Sequence, residues 1–353
     1  MRTLAIDVRE ALRDHPTGKA RWTKCFVKEL ISRKLPLLLI GQSTLPDSWV
    51  QSHVQSLTLP AGMRWHLAAA NALLQKKQDI LSFSPTSFIV PAITGGRVPT
   101  IPLVHDLIAF RGEPHQRRAQ IIEHLTLRRA LSTAQHICAI SEATKNDLLN
   151  RYRFLKADSI SVIYAGPYAE SAPLNTPDDQ TILSVGTLCP RKNQLRLIQA
   201  FALLPEVLRT QTRLIIAGGR GWGDRDIIHL ARITPGVEWK GYVTDKEYED
   251  LFARATVFAY PSLYEGFGLP VLDALQRGIP VLTSRRGSLP EVAGEAAVFI
   301  DPEDPDSIAQ GLTKLLRDAP LRERLRTEGP LQAQSFSWKR TVDLFLSGIQ
   351  KFL

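Results

Sequence analysis

The chain has 353 residues, 44% hydrophobic and 22% charged, with 44 Lys+Arg against 35 Asp+Glu. That length is about twice a typical domain of roughly 150 residues, and the composition excludes a disordered, fibrous or disulfide-rich chain, so two domains are expected. Cys25, Cys138 and Cys189 lack the paired spacing of a zinc or redox motif and read as buried thiols of a reducing, cytoplasmic compartment.

The N-terminal MRTLAIDVREALRD meets acidic residues within its first ten positions, unlike a signal peptide, and no run reaches the roughly 18 apolar residues of a membrane span. From there, short apolar runs alternate with amphipathic stretches. In the first half the runs are LAIDV (4–8), PLLLIG (36–41), DILSFS (79–84), IPLVHD (101–106), HICAIS (136–141) and SVIYAG (161–166). They lack the alternation of a half-exposed sheet and predict buried parallel strands. Between them, Trp22, Phe26 and Leu30 recur at i, i+4, i+8, and Ser141 stands as a helix cap, so helices intervene. Strand, helix, strand repeated means a doubly wound sheet.

The first half also holds the excess charge: residues 1–170 carry 22 Lys+Arg against 13 Asp+Glu, residues 171–353 carry 22 against 22. Arg117 and Arg118 precede Arg128 and Arg129 by eleven residues, about three helical turns, which places all four on one face. That face is either simply solvated or turned to an anionic surface, phospholipid headgroups or a phosphate-bearing acceptor. Nucleic acid is set aside, because no binding motif or aromatic-basic interleaving accompanies the charge.

Periodicity stops at AGPYAESAPLNTPDDQ (165–180), which reads as a linker. A second series follows: TILSVGT (181–187), RLIIAGG (213–219), VEWKGYV (237–243), VFAYPS (257–262), PVLTS (280–284) and AVFID (297–301). The expected domains are 1–166 and 167–335. The amphipathic FSWKRTVDLFLSGIQKFL (336–353) either packs locally or crosses back to the first. The fold class is α/β: two Rossmann-like, doubly wound parallel-sheet domains facing across a cleft, where ligands of such sheets bind.

Chemistry concentrates in LYEGFGLPVLDAL (263–275). A strand ends at Ser262, Glu265 sits on a turn, Gly266 and Gly268 permit close backbone approach, and Pro270 opens a helix where its missing N–H costs nothing. The free amides of that helix start suit a phosphate. Glu265 is placed for hydroxyls beside the phosphate, and Asp273, eight residues on, for a more distant hydroxylated group. The bland reading is a helix entry with two solvated acids. A second segment, LSVGTLCPRKNQ, ends a strand at Gly186 and offers Arg191 and Lys192 as a clamp for a diphosphate. Together the two segments describe a site for a nucleotide sugar.

On these residues the chain resembles the large retaining glycosyltransferase family 4, with the two-Rossmann-domain architecture called GT-B. EGFGLPVLDALQRGIPV is similar to the family's E-x7-E segment and VGTLCPRKN to its diphosphate loop. The resemblance implies that Glu265 contacts the transferred sugar and that amides around Phe267, Gly268 and Leu269 serve sugar and phosphate. Asp273 stands where the family's second acid binds ribose, one methylene shorter, so its contact is direct or through a water. Thr187 occupies the position of a frequent arginine, and Arg191 either replaces that arginine or faces outward. DHPTGKARWTK is similar to the glycine loop near the donor phosphates, with Gly18 retained and Ala20 in place of a second glycine. LVHDLIAF is similar to the strand end that puts a histidine, here His105, near the anomeric centre, with Asp106 next.

HDL and GTLCPRKN look most like bacterial mannosyl- and rhamnosyltransferases of surface polysaccharide, including lipopolysaccharide and O antigen. The implied reaction moves a hexose, mannose or a relative, from a nucleoside diphosphate sugar to a hydroxyl of a glycan or lipid-linked glycan, with retention. GDP is the expected base, with UDP- or dTDP-linked glucose or rhamnose as the alternative donor. No cofactor is expected: Lys192, Arg191 and helix-start amides would do for the leaving group what a metal does elsewhere. The rivals are a nucleotide-sugar epimerase on the same fold and a non-catalytic binding module, the latter opposed by the presence of Lys192, Glu265 and His105 together. The family resemblance places the enzyme in the cytoplasm, with peripheral attachment to the inner membrane face as the further expectation.

Overall fold

The computed structural model describes residues 2–13, 17–62, 64–111, 117–168 and 180–353. Most of the expected linker, 169–179, lies outside these residues, as do the side chains of Arg117 and Arg118. Two compact units are present, one built on each series of apolar runs.

The first unit is a seven-stranded sheet in the order β3-β2-β1-β4-β5-β6-β7. Its strands are β1 (Thr3–Asp7), β2 (Leu37–Gly41), β3 (Val54–Thr58), β4 (Ile80–Ser84), β5 (Thr100–Val104), β6 (Ile137–Ala139) and β7 (Ile160–Val162). Every pairing is parallel. β2, β4 and β5 are buried along their whole length, because helices cover both faces of a parallel sheet. β3 is the strand that apolar runs did not announce. It lies at the edge and is mostly exposed, so VQSLT needs little hydrophobic character.

The helix Gly18–Ser32 begins at Thr17, whose side chain accepts from the Ala20 amide. It buries Trp22, Phe26, Val27 and Leu30. Trp22 stacks on Phe26 at 4.7 Å, and Phe26 meets Phe83 of β4 at 5.2 Å. The helix Trp338–Ile349 completes this aromatic cluster, for Phe345 lies 4.6 Å from Phe83 and Trp338 lies edge-on to Trp22 at 5.9 Å. Phe336–Leu353 therefore belongs to the first unit. The Trp338 indole donates to the Pro167 carbonyl at 2.8 Å, and the Arg2 amide donates to the Leu353 carbonyl at 2.8 Å. The backbones at this crossing nearly touch: a Cβ on Gly166 would stand 2.6 Å from the Trp338 amide nitrogen.

The second unit is a six-stranded sheet in the order β10-β9-β8-β11-β12-β13, again all parallel. Its strands are β8 (Gln180–Val185), β9 (Thr212–Ala217), β10 (Val237–Gly241), β11 (Val257–Tyr260), β12 (Val281–Ser284) and β13 (Ala297–Ile300). All six correspond to the runs read from the sequence. Ile182, Leu214, Ile216 and Ala259 form one core with Leu197, Phe201 and Leu312 from the covering helices. In both sheets the strand order reverses beside the first strand, between β1 and β4 and between β8 and β11. The loops leaving such a pair part to opposite faces and open a crevice at the carboxyl ends. Among the described residues no helix is long and apolar enough to cross a membrane.

Phe345 is fully buried among Phe26 and Phe83. Phe345→Ala is expected to destabilise the first unit by about 3–5 kcal/mol through lost burial and the cavity left behind. Urea unfolding followed by circular dichroism checks this; an unchanged midpoint would show that the helix adds nothing to the core.

Candidate active site

In the second unit the crevice between β8 and β11 collects the charged residues that the sequence singles out. After β8 the chain passes Gly186, makes a single tight turn over Pro190–Lys192, and enters a helix at Asn193, in the left-handed region. After β11 it runs through Pro261 and Ser262 to Glu265. The two loops are stitched together: the Leu263 amide donates to the Arg191 carbonyl at 2.9 Å, and Asn193 Nδ2 donates to the Pro261 carbonyl at 3.0 Å.

On this frame one carboxylate oxygen receives three groups. Glu265 Oε1 lies 2.7 Å from Lys192 Nζ, 2.7 Å from Arg191 Nη1 and 2.6 Å from Ser262 Oγ. Arg191 Nη1 also donates to the Tyr264 carbonyl at 2.7 Å, and Lys192 donates to the Tyr260 hydroxyl. Arg191 is thus turned inward against Glu265, which removes the outward-facing alternative. Burial raises the Glu265 pKa, but Arg191, Lys192 and the Ser262 hydroxyl outweigh it and hold the carboxyl at about 2. Burial lowers the Lys192 pKa, and the Glu265 carboxylate beside it opposes that shift.

The helix Leu269–Gln276 starts at Gly268, whose φ of 103° is a left-handed conformation suited to glycine, with Pro270 in the first turn. No side chain caps this helix start. This helix start, at Gly268 and Leu269, lies where the sequence placed an anion site, the end of a helix that attracts negative charge. The turn is braced from the loop after β12, since Ser288 Oγ donates to the carbonyls of Glu265 at 3.0 Å and Phe267 at 2.7 Å. Gly266 and Phe267 are buried in it. Asp273 sits differently. It is 2% exposed, and its Oδ2 accepts from the Tyr248 hydroxyl at 2.6 Å. Arg277 donates to the Asp273 backbone carbonyl at 3.0 Å, whereas the Glu265 carboxylate meets Arg191, Lys192 and Ser262.

In the first unit His105 follows β5 and is 7% exposed. Its Nε2 lies 2.8 Å from the Pro85 carbonyl, so that nitrogen carries the proton and Nδ1 is the acceptor. Burial, with Lys19 adding to it, lowers its pKa to about 3, and the imidazole is neutral. Gly18 is exposed at the first position of its helix, beside Lys19. Asp106 accepts from the Ile108 amide at 3.2 Å, and burial raises the pKa of Glu123, a nearby acid. At the end of β1, Asp7 is buried, and its pKa is raised by desolvation to about 6. Beside it Arg9 lies 4.4 Å over the Trp65 ring and 3.0 Å from His66 Nε2.

Tyr260, Ser262 and Ser288 escaped sequence reasoning. Ser262 and Tyr260 did stand at the marked strand end, but the signal for Ser288, 23 residues from Glu265, exists only in three dimensions. Two Asp-x-Asp pairs bear on the metal-free expectation, because paired carboxylates can hold a divalent cation. Asp224 of the first is bound to Arg220 Nε at 2.8 Å, and Asp304 of the second caps its own helix through the Asp306 amide at 3.0 Å. Among the described residues no group of three or more His, Cys, Asp or Glu is arranged to hold a metal ion.

Comparison with known proteins adds two family matches. A model described as glycosyl transferases group 1 matches residues 169–332, and one described as glycosyltransferase family 4 matches residues 42–167. Over 251 residues the chain is 33% identical to the O-antigen chain mannosyltransferase B of Escherichia coli, covering 67% of this chain and 66% of that protein. It is 28% identical over 284 residues to the serotype-specific mannosyltransferase WbdA of Escherichia coli, covering 74% of this chain and 35% of the relative. The chain thus spans just under two thirds of the first relative and about a third of the second. Among solved structures, sucrose-phosphate synthase from Thermosynechococcus elongatus shares the fold, with a TM-score of 0.79 over 100% of this chain and 99% of that one at 19% identity. Two Rossmann-like parallel-sheet units of this kind are the GT-B architecture.

The low pKa of His105 has a signed consequence. The unfolded chain takes up the proton near 6.5 and the folded chain near 3, so falling pH across that window disfavours the fold. Nitrogen-detected NMR is expected to show His105 as the neutral Nε2–H tautomer from about pH 8 to about pH 5, where an ordinary histidine becomes cationic. A midpoint between about 6 and 7 would contradict the buried geometry.

Proposed function

The chain belongs to the group 1 and family 4 glycosyltransferases, and from that membership we propose a retaining mannosyltransferase. It takes mannose from a nucleoside diphosphate donor, GDP-linked, and passes it to a hydroxyl of a glycan or lipid-linked glycan in surface polysaccharide assembly. The observation that carries this reading is the convergence of Arg191, Lys192 and Glu265 beside an uncapped helix start. Two cations and the positive end of a helix suit a diphosphate, and a carboxylate held ionised suits the hydroxyls of the sugar beyond it. The choice of mannose and of GDP rests on the similarity to mannosyltransferases rather than on a residue assigned to the base.

Breaking the anomeric C–O bond develops positive charge on the sugar and negative charge on the departing diphosphate. Lys192 and Arg191 meet that negative charge in place, and a preorganised donor of this kind is worth about 3–4 kcal/mol in the transition state. In this proposal no metal is required. The acceptor hydroxyl attacks from the face the diphosphate leaves, handing its proton to the departing phosphate, so configuration is retained. Neutral His105, in the first unit, is suited to hydrogen bonding rather than to acid catalysis.

Calorimetry and transfer assays, run with a chelator throughout, test this reading. GDP is expected to bind more tightly than UDP or dTDP. Lys192→Ala is expected to lower transfer by roughly a hundredfold or more and to weaken GDP. Glu265→Gln frees both cations from a competing charge, so GDP affinity is retained or increased while transfer falls comparably. A Lys192→Ala variant with wild-type transfer, or rescue of activity by added Mg2+, would overturn the metal-free clamp. Donor turnover without any acceptor would favour an epimerase.

The membrane contact is likewise proposed. The helix Arg117–Ser132 exposes Ile121 at 60% and Leu125 at 74%, in line with exposed Arg128 at i, i+4, i+7. An apolar stripe flanked by cations suits an anionic lipid interface. Arg129 does not share that stripe fully, for its guanidinium lies against Gly95, where a Cβ would stand 2.9 Å from Nη2. Sedimentation with anionic liposomes is expected at low salt and release at high salt, as screening shortens to a few ångströms. Ile121→Ser with Leu125→Ser is expected to weaken the binding; equal sedimentation with neutral liposomes would exclude an electrostatic contribution.

A further inference from the structure

A pocket of about 260 Å3 in the second unit is lined by Arg220, Arg225, Ile228, His229, Arg232 and Trp239. None of these six residues takes part in the donor site proposed above. Arg225, His229 and Arg232 fall at i, i+4 and i+7 of the helix Arg225–Ile233 and so share one face. Arg225 is the first residue of that helix, where a cation opposes the helix dipole. Among the described residues, Arg225 and Arg232 have no ion-pair or hydrogen-bond partner, whereas Arg220 is bound to Asp224. The opposite wall is the edge strand β10, whose Trp239 indole donates to the Gly218 carbonyl at 2.9 Å and is thereby fixed in orientation.

A single exposed arginine is ordinary. Two arginines seven residues apart on one helix, about 10 Å along its axis, without counter-ions and lining with a third a concavity that an oriented indole also lines, form a binding layout. Guanidinium forks match phosphate oxygens in pairs, and the C–H face of a pyranose lies well against an indole. We propose that this pocket binds a phosphorylated sugar, with the phosphate between Arg225 and Arg232 and the ring against Trp239. The site has its own residues but neighbours the donor loop. The Leu188 amide donates to the Gly219 carbonyl at 3.0 Å, and a Cβ on Gly221 would stand 2.3 Å from the Leu188 carbonyl oxygen.

Calorimetry on the full chain with mannose 6-phosphate, mannose and inorganic phosphate tests the assignment. Mannose 6-phosphate is expected to bind the wild type and Lys192→Ala alike, and to lose about tenfold or more in affinity in Arg225→Gln/Arg232→Gln, two surface changes whose folding circular dichroism verifies. Mannose is expected not to bind measurably, and inorganic phosphate to bind about tenfold more weakly than the sugar phosphate. Unchanged affinity in the double variant, loss in Lys192→Ala, or phosphate binding as tightly as the sugar phosphate would each overturn the proposal. Phosphatidylglycerol vesicles that displace the sugar phosphate from the wild type would make the pocket a headgroup site and overturn it as well.

Discussion

The candidate site depends on the contest for one oxygen atom. Glu265 Oε1 draws in an ammonium, a guanidinium and a hydroxyl within 2.7 Å, on a strand pair that leaves little water to share the load. Such a cluster is strong only while every member is present, because removing one partner from a buried ion pair leaves the others uncompensated. The charges do not hold themselves in place. Asn193 and Ser262 tie the loops to each other, Ser288 holds the turn from the loop after a third strand, and the parallel register puts all three strand ends at one level. Backbone geometry is determined by the sheet, and the electrostatics follow.

That division explains what could be read from the sequence. Buried parallel strands are runs of apolar residues, so twelve of the thirteen strands among the described residues were legible as runs; β3, at an exposed edge, was not, since burial is what writes the pattern. Arg191, Lys192 and Glu265 could be nominated because each follows a strand end, but their mutual contact links positions 73 residues apart and no local pattern reports it. Asp273 shows the reverse case. Its spacing from Glu265 fits a family segment, yet the side chain is engaged by Tyr248, which lies on a separate helix 25 residues earlier. The direction of a side chain within a correctly read helix is a packing outcome.

His105 makes the same point through solvation. A histidine after a strand suggests acid-base chemistry at neutral pH, the usual reason for that residue. Enclosed beside Trp22, with its Nε2 proton engaged by a backbone carbonyl, it has the hydrogen-bonding capacity of an amide rather than the charge of an acid. Composition does not reveal this, because desolvation is a property of the surroundings.

The return of Phe336–Leu353 to the first unit orders events in time. A ribosome releases residues 1–168 long before Phe345 and Trp338, so for most of synthesis the face formed by Trp22, Phe26 and Phe83 lacks its cover. Among the described residues the second unit is one continuous stretch of chain, and it has all its strands by Ile300. Domains made of continuous chain can fold as they emerge. Here the unit made second is complete first, and the unit made first waits, with an aromatic surface open to chaperones and to other nascent chains, until the last helix arrives.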